Sequence, residues 1–113
     1  MSPESRFKIR VLAVLKQIPD LYVIKIQQVG LRGCPDIFMC YQGKFVAWEL
    51  KVPPNKVKAG SLQEFYLEQI QKAGGIAREV TPANINIHLE ELKCLNLSYG
   101  SKASSNATVQ FPL

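Results

Sequence analysis

Apolar residues in the first eighteen positions recur at helical spacing: Phe7, Val11, Val14, Leu15 and Ile18 fall on one side, with Arg6, Arg10, Lys16 and Gln17 elsewhere. Ser2 suits a cap, Pro3 a first turn, and Glu4 the position where the helix dipole favours an anion. A helix over Pro3–Gln17 is predicted, ended by Pro19-Asp20. The period then changes. Tyr22–Gln28 carries the β-branched Val23, Ile24 and Ile26 and reads as a strand, followed by a Gly30–Gly33 loop. Two apolar stretches, Asp36–Tyr41 and Lys44–Val52, are separated only by Gln42-Gly43, the signature of a β-hairpin. A Pro/Gly loop, Pro53–Gly60, leads to a second helix capped by Ser61 and running to Lys72, with Leu62, Phe65, Tyr66, Ile70 and Ala73 inward. Gly74-Gly75 stops it, Ile76–Val80 makes a short strand, and Thr81-Pro82 opens a last helix over Pro82–Cys94. The predicted class is α/β, with the order α-β-β-β-α-β-α in one domain over residues 1–97. Residues 98–113, polar and without period, read as a loose tail.

The hairpin concentrates the chemistry. A turn at Gln42-Gly43 sets Cys40 opposite Phe45 and Asp36 opposite Glu49, and opposed residues share a face with β-carbons roughly 4.5–5.5 Å apart. Lys51 lies on that same face, two residues beyond Glu49. The other face of the strand is Val46, Trp48, Leu50 and Val52, all apolar. Like charges opposed in a sheet destabilise it, and a divalent cation between them converts the repulsion into a binding site. Carboxylate oxygens suit Mg²⁺ or Mn²⁺, with water and substrate phosphates completing the shell. Lys51 then stands where it stabilises charge on a phosphate or orients an attacking water.

Composition narrows the class. The chain has 113 residues, enough for one modest core, and 47 % apolar against 20 % charged residues separates it from disordered chains. No apolar run approaches the roughly 18 residues of a membrane span, and Met1-Ser2-Pro3-Glu4 does not resemble a secretion signal. Three cysteines, Cys34, Cys40 and Cys94, without CxxC spacing argue against a disulfide framework or structural zinc and for a reducing intracellular compartment. The net charge of +5 is uneven: ten of the 14 basic residues lie in residues 1–63 beside four acids, Glu4, Asp20, Asp36 and Glu49. A basic half suits a polyanion such as nucleic acid, although such a charge also serves solubility. Arg32, Lys56 and Lys58 flank the acidic pair in sequence and suit phosphate contact, or are ordinary surface charges. His88 is the single histidine and reads as structural, and Cys34 has no evident histidine partner for thiol catalysis.

Gly33-Cys34-Pro35-Asp36, followed by Glu49-Leu50-Lys51, resembles the PD-(D/E)XK nuclease motif, with both halves intact. Glu4 in the opening helix, Gln63 at the start of the next and Gly74-Gly75 after it resemble the VRR-NUC branch, over about residues 4–92. That branch includes small stand-alone proteins of phages and bacteria and the nuclease domain of the Fanconi-associated nuclease. The resemblance implies a restriction-endonuclease-like core, a mixed central sheet flanked by helices. It implies a metal-dependent phosphodiesterase in which Asp36, Glu49 and the main-chain carbonyl of Leu50 bind metal and Lys51 serves the hydrolytic water. Glu4 would lie at the edge of the site, on the metal directly or through water; Gln63, and Tyr66 one turn later, would stand beside Lys51 or the scissile phosphate. Tyr66 also fits the apolar stripe, and Glu4 is equally explained by the helix dipole. A lone domain of this kind further implies a homodimer acting on branched DNA such as a Holliday junction. Rival readings are a flap, nick or restriction-type nuclease, and a nucleic-acid-binding module that keeps the fold without turnover. The chain is too small for a separate recognition domain, so shape and phosphate contacts dominate any binding.

Overall fold

The computed structural model describes residues 1–27, 32–98 and 111. The elements follow the predicted order: α1 (Pro3–Leu15), β1 (Tyr22–Lys25), β2 (Ile37–Tyr41), β3 (Lys44–Leu50), α2 (Leu62–Lys72), β4 (Ile76–Val80) and α3 (Ile85–Ser98). One sheet has the order β1-β2-β3-β4, with antiparallel pairs except β3 and β4, which run parallel. The fold is therefore α/β, with a four-stranded mixed sheet and three helices.

The β2–β3 turn has positive φ at both Gln42 (52°) and Gly43 (79°), the backbone a two-residue hairpin with right-handed strand twist requires. Its ladder runs from Tyr41 opposite Lys44 to Ile37 opposite Trp48, the predicted register. One residue further, that register sets Asp36 across from Glu49. Ile37, Met39, Tyr41, Val46, Trp48, Leu50 and Val80 form one core with Phe7, Val11, Val14 and Leu15 of α1 and Ile85, Leu89 and Leu92 of α3. Each large side chain so buried contributes about 1.5–3 kcal/mol. Both α1 and α3 thus cover one face of the sheet.

Helix α2 covers the other face at β3 and β4, rotated from the predicted stripe. Leu67 is its buried residue, whereas Leu62 and Phe65 are 53 % and 50 % exposed and Ala73 is also exposed. Two glutamines set this rotation: Gln63 donates to Glu49, and Gln71 Nε2 donates to the Ala77 carbonyl at 2.9 Å. Positions 63, 67 and 71 share one side of a helix, so polar bonds, not the longest apolar row, select the inward side.

Several boundaries move. Helix α1 stops at Leu15 instead of Gln17, β1 at Lys25, and β2 and β3 are each trimmed at the site end. Helix α3 begins at Ile85, three residues past Pro82, because Thr81 and Asn84 cap each other: Thr81 N–H donates to Asn84 Oδ1 at 2.8 Å, and Asn84 N–H to Thr81 Oγ1 at 3.3 Å. It continues past Cys94 to Ser98. Phe111 departs from the expected loose tail. It is buried, meets Phe7 edge-on at 5.7 Å between centroids, lies under the Arg10 guanidinium at 4.6 Å, and its N–H donates to Asn86 Oδ1. The predicted strand end at Gln28, the Gly30-Leu31 part of the loop and the rest of the tail, 99–110 and 112–113, lie outside the described residues. Among the described residues no helix is long and apolar enough to cross a membrane.

Candidate active site

Four segments converge at one end of the sheet: the start of α1, the loop entering β2, the exit of β3 and the start of α2. Gly33 fixes the second against the fourth. Its φ is +82°, and a β-carbon there would sit 2.6 Å from Leu62 Cβ, so only glycine lets the Gly33–Asp36 segment pass so close to α2.

Asp36 is half-buried, and its Oδ2 accepts from the Leu50 N–H at 2.8 Å. Its Oδ1 lies 3.1 Å from Lys8 Nζ. Glu49 is only 4 % exposed. Its Oε2 accepts from Gln63 Nε2 at 3.0 Å and lies 3.6 Å from Lys51 Nζ, while its Oε1 is buried with no hydrogen-bond partner. Burial, then the neighbouring Asp36 carboxylate, pushes the Glu49 carboxyl up to about 7; Lys51 and Lys8 pull it back only in part. Lys51 stays at the strand exit because its N–H continues the parallel ladder to the Val80 carbonyl at 3.0 Å. Leu50 lines the same cavity while its side chain is buried in the core, so its backbone faces the site.

Two adjoining cavities share Glu4, Lys51 and Gln63. The smaller, about 240 Å³, is lined further by Ser2, Ser5, Lys8, Asp36, Glu49 and Leu50. The larger, about 460 Å³, is lined by Pro54, Asn55, Lys56, Lys58 and Ser61. An acidic hollow thus opens onto a basic one. Three carboxylates hold the basic loop in place. Glu79 Oε2 accepts from Val57 N–H at 2.9 Å, Glu64 Oε1 from Gly60 N–H at 2.8 Å, and Glu4 Oε2 from Asn55 Nδ2 at 3.2 Å.

The structure therefore brings together Asp36, Glu49, Leu50, Lys51, Gln63, Glu4, Lys56 and Lys58. It does not bring Tyr66 or Arg32 to either cavity. Tyr66 lines a separate apolar hollow of about 330 Å³ with Phe45 and Ile70, because α2 turns Gln63 toward the sheet and Tyr66 one turn on toward the hairpin flank. Arg32 is exposed on the loop before β2. Cys34 has its thiol pushed up by burial and then by Glu49 and Asp36, the reverse of an activated nucleophile. His88 sits on α3, with Nδ1 3.3 Å from Glu91 Oε1 and its ring centroid 6.4 Å from that of Trp48. The sequence pattern missed Lys8, Asn55 and Glu79. Lys8 was findable, since it follows Glu4 by four residues on the same helix face.

The donor set suits a hard divalent cation. Asp36 and Glu49 offer oxygens, and Glu49 Oε1 is buried with no other partner. Among the described residues no group of three or more His, Cys, Asp and Glu could hold a metal. A cation here would take two carboxylates and draw its remaining ligands from water and substrate, the habit of Mg²⁺. No family model, no curated protein and no solved structure matches this chain.

Proposed function

We propose that the chain is a Mg²⁺- or Mn²⁺-dependent endonuclease that hydrolyses phosphodiester bonds of DNA and selects structure more than sequence. Its sheet and helices serve as a restriction-endonuclease-like core of the VRR-NUC kind. The observation that carries this reading is the buried, partnerless Glu49 Oε1 beside Asp36, with two lysines and a basic cavity next to it. Asp36, Glu49 and the Leu50 carbonyl would hold the metal, and Glu4 would join it directly or through water. An ion bound there would supply Lewis-acid activation of the phosphate and of water. Lys51 orients the attacking water and offsets negative charge as the phosphorus becomes five-coordinate. Gln63 fixes the Glu49 carboxylate by its hydrogen bond. Lys56 and Lys58 seat a neighbouring phosphate, and Arg32 contacts the backbone further out. A homodimer presents two such sites to a branched substrate in an intracellular setting.

The test is a cleavage panel of four-way junction, flap, nicked and linear duplex DNA with Mg²⁺, Mn²⁺ or EDTA. Metal-dependent cutting strongest on a branched substrate is expected; no cutting of any DNA with either metal contradicts the proposal. One observation favours a second reading. Lys8 and Lys51 already neutralise the two carboxylates, as suits a nucleic-acid-binding module without turnover. DNA binding by the wild type without any metal-dependent cutting would select it.

A further inference from the structure

Lys8 is a cation already seated on the acidic pair. Asp36 commits Oδ2 to the Leu50 N–H, so Oδ1 is its remaining oxygen, and the Lys8 ammonium covers it at 3.1 Å. Lys51 pairs with Glu49 at 3.6 Å through Oε2 and leaves Oε1 bare. When Asp36 and Glu49 are both ionised the two ammoniums balance them, so an entering divalent cation meets a pair whose negative charge is already countered. The two amines are not equally held. The Lys51 side chain is 15 % exposed and the Lys8 side chain 28 %, at the more open edge of the cavity. Lys8 also has four rotatable bonds between its ammonium and a fixed α1 backbone, so it can leave Asp36 without unfolding anything. Ser2 and Ser5 line that same edge, where a phosphate oxygen can receive the displaced ammonium.

We propose that Lys8 is a resident counter-ion of Asp36 that a divalent metal must displace, which holds metal uptake weak until a substrate phosphate restores the charge balance. The inference rests on the metal-dependent reading above and adds a residue that makes metal and nucleic acid bind together. Like-charge repulsion over a few ångströms in a half-buried site is enough to change affinity severalfold.

The experiment is calorimetric titration of Mn²⁺ into the full-length chain without DNA, comparing wild type with Lys8→Met, Lys8→Arg and Lys16→Met. Methionine keeps the stem without the charge, arginine keeps the charge, and Lys16 at the far, exposed end of α1 controls for net charge. Lys8→Met should bind Mn²⁺ about 5- to 20-fold more tightly than wild type, with the other two near wild type. Uptake by Lys8→Met where wild type shows none also supports the proposal. Wild-type binding that Lys8→Met leaves unchanged or weakens overturns the role of Lys8 alone. No uptake by any of the four overturns that role and the metal-dependent reading together. Matching circular dichroism and melting curves establish that each variant is folded.

Discussion

The two faces of strand β3 differ in what they bury and why. On one, Val46, Trp48 and Leu50 alternate into an apolar core shared with α1 and α3, a face of wholly apolar packing apart from the Trp48 Nε1–H, which is buried without a hydrogen-bond partner. On the other, Ala47 and Glu49 are buried under α2, and the Glu49 carboxyl has one oxygen left without a partner. A carboxylate held there opposes stability, since desolvation costs more than Gln63 and Lys51 return. The contrast teaches that packing alone accounts for one face, whereas the other carries a buried acid whose placement packing alone does not explain.

Substitutions on the two faces should therefore fail in different assays. The largest effect is expected on activity: Asp36→Asn or Lys51→Ala should cut DNA about 10²–10³-fold more slowly or worse, with DNA affinity within a few fold of wild type in a gel-shift titration. A variant that cuts normally removes that residue from the chemistry. Next, Trp48→Ala should cost about 3–5 kcal/mol in urea unfolding, because the indole fills the centre of the core. Glu49→Gln, its neighbour on the opposite face, should leave metal-free stability unchanged or raise it.

The same pair gives a pH test. The Glu49 carboxyl is raised from 4.5 to about 7, so its favourable contribution is complete below pH 4.5 and is lost as pH rises through 7. Metal-free wild type should lose on the order of 3 kcal/mol relative to Glu49→Gln between those limits. Equal pH profiles for the two proteins would show that Glu49 ionises freely. The smallest effect concerns the basic cavity. Lys56→Ala and Lys58→Ala should each weaken DNA binding severalfold and lower the salt slope by about one, measured by fluorescence anisotropy over a range of NaCl. An unchanged slope would take that lysine off the phosphate path.

Much of this was legible because local chemistry and global fold agree. The period-two alternation and the Gln42-Gly43 turn give the hairpin and its register, from which the Asp36–Glu49 juxtaposition follows. Strand β4 falls on Ile76–Val80 as read, and Ser61 caps α2 by accepting from the Glu64 N–H. What failed was decided by contacts between distant residues. The apolar row from Leu62 to Ala73 has good helical spacing, yet hydrogen bonds from Gln63 and Gln71 to the sheet turn another side inward. That rotation also carries Tyr66 away from the site. The Phe111 ring docks on Phe7, about a hundred positions away, and no local pattern marks such a contact. Lys8 has the ordinary look of a surface lysine on an amphipathic helix, and only its spacing, four residues after Glu4, marks it out.

The central claim, that Asp36 and Glu49 together hold one divalent cation, is tested most directly by titrating Mn²⁺ into wild type, Asp36→Asn and Glu49→Gln at pH 6.5 in buffers of differing ionisation enthalpy. Saturable uptake by wild type with proton release, because a carboxyl near 7 must give up its proton to the metal, is expected, and at least about tenfold weaker binding in each variant. Uptake that neither substitution alters, or no uptake by either the wild type or Lys8→Met, would contradict it.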